Sequence, residues 1–300
     1  MNHFSMDLPQ IDETQIPSAT QGLSGKKLAR HFVKVFVGSI AFWAVLLAAV
    51  VYNARAGELT ASDIVKKTTQ NIYSGNEESI YVMKLSESPG GAETLRKMKV
   101  LYKRGGPESA KLLIKFQEPA DIRGTGLLSI LEKDKPADQW IYLPALKKTR
   151  RIKGGNDSES FLGSDFTVGD LTSVDGDAER YENSLTSSGE ACGSNQCYVL
   201  TAMPKAGVDA SALPYSKKVL HVRKDNFVTD KIEFFNTDGK LEKVLTFEAV
   251  HSAGPNGWLS DKMVMKNLLT GHGTVIEVSK RDTSKAPADS AFTQSALERN

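Results

Sequence analysis

The sequence predicts a mainly β fold, an antiparallel meander of about ten or eleven strands with a short helix at each end, which forms either a closed barrel or a partly open one whose helices cover an apolar cavity. Apolar and polar residues alternate with a period of two in many segments, such as "TLRKMKVLYKR". Turn sequences such as "RGGPE" and "NTDGK" separate these segments. No G-x-G-x-x-G motif follows a strand, and strands do not alternate with helices, so a parallel sheet is not expected.

The N-terminal region carries the features of an export signal. Residues 1–34 are a polar lead with Lys and Arg near its end. Residues 35–56 contain an uncharged run of 18 residues followed by "ARA", which predicts a signal peptide hydrophobic region with cleavage before Gly57. A run of this length is also about long enough to span a bilayer, so an uncleaved anchor is the alternative. Both interpretations place the domain 57–300 in the periplasm.

Helix signals begin and end the predicted domain. "TASDIVKKTTQNIYSG" has Thr60 or Ser62 as a cap and ends at Gly75, and "ADSAFTQSALERN" has Phe292 and Leu297 as apolar anchors. A sheet with this many strands must curl. The predicted strands are Ser79–Glu87, Thr94–Arg104, Ser109–Gln117, Gly126–Leu131, Gln139–Leu143, Cys197–Ala202, Lys218–Val222, Lys231–Phe235, Leu241–Val250, Lys262–Leu269 and Thr274–Val278.

The exported part is electrically balanced. Residues 1–56 hold five of the 38 Lys and Arg and three of the 36 Asp and Glu, which leaves 33 of each in residues 57–300. A general nucleic-acid binder carries a strong positive field, so this balance argues against one. Cys192 and Cys197 flank the turn formers "GSN" and predict a disulfide that staples a hairpin, since exported proteins form disulfides.

The apolar faces of the predicted strands are rich in Met and aromatic residues. For each of them alone, core packing is the simpler interpretation. Together they form the kind of adaptable surface that suits flexible partners such as acyl chains. The candidates for a lipid cavity are Met83, Met98, Tyr102, Ile114, Phe116, Trp140, Tyr142, Phe234, Phe247, Met263 and Met265.

Catalytic and metal motifs are weak. Asp165 and Asp170 flank "FTVG" and are interpreted as turn or cap residues rather than an acid/base pair. Ser164 in "FLGSDF" lacks the G-x-S-x-G context of a nucleophile. The two Cys, with His221 and His251, lack zinc-ligand spacing. We therefore predict no enzyme, no catalytic residue, no metal site and no cofactor.

Three segments between Phe116 and Leu171 carry a family resemblance: "FQEPADIRGTGLLSI", "DQWIYLPALKKTRRI" and "SFLGSDFTVGDL". In this order they resemble the outer-membrane lipoprotein-sorting family of LolA-like exported proteins, including the subgroup typified by a treponemal lipoprotein. The resemblance implies an incomplete β-barrel with a helical lid over a hydrophobic cavity. It also implies a periplasmic carrier of acylated lipoproteins, with a resistance-nodulation-division type transporter as an inner-membrane partner. The 34-residue lead departs from the short signal peptide of many relatives.

The cationic stretch after "WIYLP" has two interpretations. As a strand, Lys147, Arg151 and Lys153 share one face with Thr149, and Lys148 and Arg150 share the other. Charge on an edge strand guards against aggregation. The same side chains suit headgroup or phosphate contacts at the rim of a cavity. The loop-rich insert that follows, Gly154–Ser173, supplies the lid candidates Phe161, Leu162 and Phe166.

Two function classes follow from this reasoning. The first is a periplasmic carrier that binds acyl chains of lipoproteins or lipids for transfer between the inner and outer membrane. The second is a membrane-anchored regulatory or sensory lipid-binding module of the envelope, because the same fold also serves envelope-stress regulators. The expected partners are lipid or acylated lipoprotein and an inner-membrane transporter, and no nucleic acid.

Overall fold

A computed structural model describes residues 59–71, 75–106, 109–133, 135, 137–152, 160–172 and 180–299. The predicted lead and the signal or anchor region lie outside the described residues. Within the described chain, no helix combines the length and the apolar character needed to cross a membrane.

The thirteen strands of the described chain form one antiparallel sheet in the order β6-β5-β4-β3-β2-β1-β13-β12-β11-β10-β9-β8-β7. The sheet is open, with β6 and β7 as its two edges, which confirms the predicted incomplete barrel. The strands are β1 (Asn76–Ser86), β2 (Glu93–Gly106), β3 (Ser109–Glu118), β4 (Gly126–Leu131), β5 (Asp138–Leu143), β6 (Lys148–Ile152), β7 (Tyr181–Cys192), β8 (Asn195–Pro204), β9 (Lys217–Arg223), β10 (Thr229–Phe235), β11 (Leu241–Ser252), β12 (Trp258–Asn267) and β13 (Gly273–Asp282).

The sheet has more strands than the sequence predicts because both edge strands lack a clear apolar alternation. β6 is "KTRRI" and β7 is "YENSLTSSGEAC", and each has mainly exposed or half-buried residues. An edge strand buries little and tolerates polar side chains, so the period-two signal is weak there. β6 is nonetheless the charged edge strand that one interpretation of the cationic stretch expects.

The sheet curls strongly, and the α-helix that follows β6 shows by how much. In this helix, α2 (Val168–Thr172), Thr172 accepts a hydrogen bond from Gln139 of β5, while Asp170 accepts one from Tyr215. Tyr215 packs on Phe234 of β10, with 4.6 Å between ring centroids. β5 and β10 are eight strand spacings apart, about 38 Å in a flat sheet. A helix of about 7 Å bridges them only if the sheet wraps around it.

The remaining two α-helices cover opposite faces of the sheet. α1 (Ala61–Asn71) starts with a reciprocal cap between Thr60 and Asp63, and buries Ile64 on the concave face against Leu200 and Val222. It is followed by residues 72–74, which lie outside the described chain, so the predicted end at Gly75 is not tested. On the concave face, α1 and α2 supply the predicted helical cover.

The third helix, α3 (Gln294–Glu298), packs on the convex face instead. Leu297 and Phe292 are buried against Leu113 and Leu128. The approach is so close that a Cβ on Gly126 would lie 2.7 Å from Leu297 Cδ1, which only glycine avoids. The sequence correctly predicts both apolar anchors of this helix.

A disulfide joins Cys192 and Cys197 across the β7–β8 hairpin, as the sequence predicts. It closes the turn at one end of the edge strand β7, which has hydrogen-bonded neighbours on one side only. The staple therefore holds one of the two edge strands, which the sheet stabilises from one side only.

Replacing Leu297 with Ala should lower the free energy of unfolding by about 2–5 kcal/mol, because a fully buried leucine leaves a cavity. The exposed Met203, changed to Ala, is the control and should shift it by less than about 0.5 kcal/mol. Denaturant unfolding of both variants measures the difference. Equal midpoints for the two would show that α3 does not help to stabilise the sheet.

Candidate functional site

The concave face gathers most of the residues predicted for a lipid cavity. Phe247 and Met263 are partly buried against its central cluster. Tyr102 follows Val100 by two positions on β2 and therefore shares the face of that cluster residue. Buried within the cluster are Met83, Met98, Ile114, Phe116, Phe234 and Met265.

Two candidates, Trp140 and Tyr142, lie on the convex face, where they pack with α3. In β5 the central Ile141 points to the concave cluster, so its two neighbours point away. The run "WIYL" is apolar at consecutive positions and gives no alternation from which to choose a face. We therefore remove these two aromatic residues from the set of cavity candidates.

The insert fills the concave face with its own aromatic side chains. Its described part, residues 160–172, buries Phe161 and Phe166 to 1% exposure within the central cluster. The rings of Phe161 and Phe116 are 5.7 Å apart, and Leu162 is partly buried against the same cluster. The three lid candidates thus contact the residues predicted to line the cavity.

A tight turn brings the two phenylalanines together. Leu162 and Gly163 both have left-handed backbone angles, with φ of 53° and 75°, as in a type I′ turn. The Phe161 N–H donates to the Phe166 carbonyl at 2.7 Å. The Arg96 guanidinium of β2 donates to the Leu162 carbonyl, so the tip of the turn is tied to the sheet.

Asp165 anchors the insert to β13. This carboxylate is 7% exposed and accepts a hydrogen bond from the Thr274 hydroxyl at 2.7 Å. The same hydroxyl accepts from the Asp165 backbone N–H at 3.0 Å. His272 Nδ1 lies 2.7 Å from the carboxylate. We call this set of contacts the Asp165 anchor.

Asp170 provides a second attachment, at the start of α2. Thr167 and Asp170 cap the helix reciprocally, with side chain to backbone distances of 2.8 and 3.0 Å. The Tyr215 hydroxyl donates to the Asp170 carboxylate at 2.9 Å. Burial raises the pKa of Asp170, and burial together with this carboxylate raises the pKa of Tyr215. Both groups are held in a water-poor environment.

The polar residues considered for catalysis therefore hold the insert in place. The Ser164 hydroxyl donates to the Phe161 carbonyl at 2.8 Å, and the two aspartates are engaged as described. In the part of the chain that the structure describes, no group of three or more His, Cys, Asp or Glu side chains is arranged to hold a metal ion.

A cavity of about 220 Å³ remains between the insert and the β5–β6 edge. Its sheet side includes Ile141, Leu143 and the neighbouring Arg150 and Arg151, and its insert side is formed by Phe161, Leu162 and Val168. It is smaller than the roughly 300–1,000 Å³ of most ligand pockets. The apolar surface that a ligand would need is largely covered by the insert.

The cationic residues divide between the two faces of β6. Arg150 pairs with the inward Ile141 and Lys148 with Leu143, so both are on the concave side. Arg151 pairs with Trp140 on the convex side and forms an ion pair with Asp138. Lys147 sits at the turn before β6 with φ of 47°, and Lys153 lies outside the described residues.

Sequence reasoning missed four residues that position the insert: Arg96, Tyr215, His272 and Thr274. Each is a single residue in a strand, a turn or the segment before a strand, and no local motif marks it. The one available signal was the density of polar residues in "GSDFTVGD", which predicts side-chain hydrogen bonds within the insert but not their partners elsewhere.

Known structures share this architecture. A domain from Vibrio parahaemolyticus, described as an outer membrane lipoprotein-sorting protein, is 26% identical with a TM-score of 0.68, covering 78% of this chain and 96% of that one. A DUF1329 family protein from Desulfovibrio piger is 29% identical with a TM-score of 0.69 over the same shares. A LolA superfamily protein from Nitrosomonas europaea is 23% identical with a TM-score of 0.61, covering 80% and 100%.

Among curated proteins, none matches the sequence. A family model described as an uncharacterized protein matches residues 108–299, which is more than half of the chain. That region contains the cationic edge, the insert and eleven of the thirteen strands, from β3 to β13. The chain belongs to this family, and its fold is that of the LolA-like outer-membrane lipoprotein-sorting proteins.

Proposed function

We propose that this protein is a periplasmic carrier that binds acyl chains of lipoproteins or lipids and transfers them between the inner and outer membrane. The observation that carries the proposal is the insert, which places Phe161 and Phe166 on an apolar concave face that the sheet itself leaves open. These rings occupy the space that acyl chains would take. The described structure then corresponds to the unloaded carrier.

Loading requires the insert to move. The cavity beside it, about 220 Å³, is too small for the acyl chains of a lipoprotein. Removing the two phenylalanines from the concave face exposes Phe116 and the methionines around it, which adapt to flexible chains. The anchor at Asp165 and the contact of Asp170 with Tyr215 then set the free-energy difference between the closed and open arrangements.

The concave side of β6 provides a place for the headgroup. Arg150 is exposed beside the cavity, and it forms no ion pair with another described residue. A guanidinium matches the geometry of a phosphate and binds it with two parallel hydrogen bonds. Lys148 lies on the same face one residue pair away, at the end of the strand.

From the N-terminal region we infer export to the periplasm with cleavage before Gly57. From the resemblance to lipoprotein-sorting proteins we infer an inner-membrane transporter as the source of the lipid. A disulfide at Cys192–Cys197 suits that oxidising compartment. The alternative is a membrane-anchored regulatory or sensory module, which the apolar run of 18 residues favours by its length.

Intact-mass measurement of the exported protein separates these two candidates. A shuttle must leave the inner membrane, so the carrier proposal expects a chain that begins at Gly57. A mass that still includes residues 35–56 would contradict the shuttle and support the anchored module. Free-thiol titration of the same unfolded, unreduced sample should find none.

Loosening the Asp165 anchor should speed the uptake of acyl chains. In the variant with both Asp165→Asn and Thr274→Val, the insert loses a charged hydrogen bond worth about 1.5–3 kcal/mol. If that bond must break before loading, its loss should accelerate the uptake of a fluorescent fatty acid by roughly tenfold or more. Stopped-flow fluorescence measures the uptake rate.

The matched control is Asp209→Asn, which changes an exposed carboxylate that caps a turn with Ser211. It should leave the uptake rate unchanged. A double variant that remains folded and takes up the fatty acid at the parental rate would show that the insert does not gate the concave face.

Arg150 and Arg151 offer a matched pair for the headgroup contact. Arg150→Gln should weaken binding of a lysophospholipid with a phosphoglycerol headgroup by about fivefold, near 1 kcal/mol, while Arg151→Gln should not. The affinity of both variants for an uncharged monoacylglycerol should stay parental. Equal losses for the two arginines, or no loss for either, would exclude a headgroup contact on the concave side of β6.

A further inference from the structure

Exposed apolar side chains are concentrated at one end of the sheet. Leu146, Leu268 and Leu269 lie in the β5–β6 and β12–β13 turns and are 60%, 52% and 55% exposed. We call the end of the sheet that holds these turns the leucine end. Leu95, near the start of β2, and Met203, near the end of β8, are the other large apolar residues exposed in the described chain, and they lie toward the same end.

The strand pairing places these turns at the same end of the sheet. Ser86 of β1 is opposite Gly273 of β13, so the β1–β2 turn neighbours the β12–β13 turn. A Cβ built on Gly271 would lie 3.9 Å from Pro89 Cδ, which shows that the two turns touch. Gly126 of β4 is opposite Tyr142, so the β5–β6 turn lies at this end as well.

The opposite end of the sheet has a different character. Its described turns include Gly193-Ser194, Lys224-Asp225 and Lys135, and none of them exposes a large apolar side chain. Solvent-exposed leucine is unremarkable when scattered over a surface, but an uneven distribution marks an interaction surface. The asymmetry therefore indicates that the leucine end has a partner that the other end lacks.

Cationic side chains accompany Leu146 in the β5–β6 turn. Lys147 and Lys148 follow Leu146 directly, and Arg150 lies two residues further on. All three are exposed, and none forms an ion pair with another described residue. Apolar tips beside unpaired cations are the combination that binds the interface of an anionic bilayer, where apolar area and electrostatic attraction both contribute.

We propose that the leucine end docks on an anionic phospholipid bilayer, with the three turn leucines in the interface and the cations at the headgroups. The inference rests on the proposed function, because it names the surface from which the carrier exchanges its cargo. The cavity beside the insert reaches Leu143, the last residue of β5 at this end. An acyl chain then passes between the bilayer and the concave face without crossing water.

Vesicle sedimentation tests the docking surface. The parent should bind phosphatidylglycerol vesicles more tightly than phosphatidylcholine vesicles, and less tightly in 1 M salt, where the Debye length falls to about 3 Å. The triple variant L146S, L268S, L269S should lose at least about tenfold in binding, because each leucine contributes burial of apolar area. Lys135→Ser, at the opposite end, is the control and should bind like the parent.

A site-specific probe complements sedimentation and does not depend on how the N-terminal region is processed. An environment-sensitive dye on L268C should shift to the blue when phosphatidylglycerol vesicles are added, and the same dye on K135C should not. The native cysteines are paired and do not react. Parental binding by the triple variant, equal dye responses at the two ends, or no binding by the parent would each overturn the proposal.

Binding of soluble lipid, measured beside vesicle binding, separates this proposal from the carrier function. A triple variant that keeps parental affinity for soluble lysophospholipid but loses vesicle binding supports docking through the leucine end. A parent that docks on vesicles but takes up no acyl chain refutes the carrier function and leaves the docking surface intact. The vesicles contain no protein. If the leucine end docks on a membrane protein and not on lipid, the parent will therefore not bind the vesicles.

Discussion

An open, curled sheet exposes one apolar face that must be kept from water, and in this chain the contact between Asp165 and Thr274 fixes the cover. An apolar insert alone would find many similar positions on a surface rich in methionine, since dispersion contacts have little directionality. A buried carboxylate can occupy far fewer positions, because it is tolerated in the interior only where its oxygens accept hydrogen bonds. The β13 hydroxyl and His272 provide one such place. The attachment of Asp165 at this place sets the position of Phe161 and Phe166 on the concave face.

In the proposed carrier, the balance between apolar and polar contacts would let the insert leave the concave face. Exchanging aromatic rings for acyl chains replaces one set of apolar contacts with another of similar area, so the hydrophobic contribution changes little. The polar contacts of Asp165 and Asp170 are then the main difference between the closed and loaded arrangements. A ligand can overcome a free-energy difference of a few kcal/mol between two conformations by binding one of them more tightly than the other. An insert held in place by a large apolar area alone would compete with the cargo for the concave face. Displacing it would then require much more free energy.

The sequence predicted the parts of the fold that repeat and missed those that depend on distant partners. Eleven strands can be located in one dimension from apolar runs between turn signals, most of them alternating, and the apolar anchor Leu297 is visible in the same way. The edge strands β6 and β7 bury too little to show it. In β5 the consecutive apolar residues hide which face Trp140 occupies, and only the packing of α3 decides it. The contact between Asp165 and Thr274 joins residues 109 positions apart, which no local pattern can reveal.

Chain connectivity explains why the insert, and not another loop, covers the concave face. β6 and β7 follow one another in sequence but form the two opposite edges of the sheet. Their connection must therefore run from one edge to the other, whereas every other consecutive pair of strands is joined by a local turn between neighbours in the sheet. The residues of this connection that the structure describes pack on the concave face. These residues form no strand pair with the sheet, so the movement required by the proposed function would leave the pairing of the thirteen strands intact.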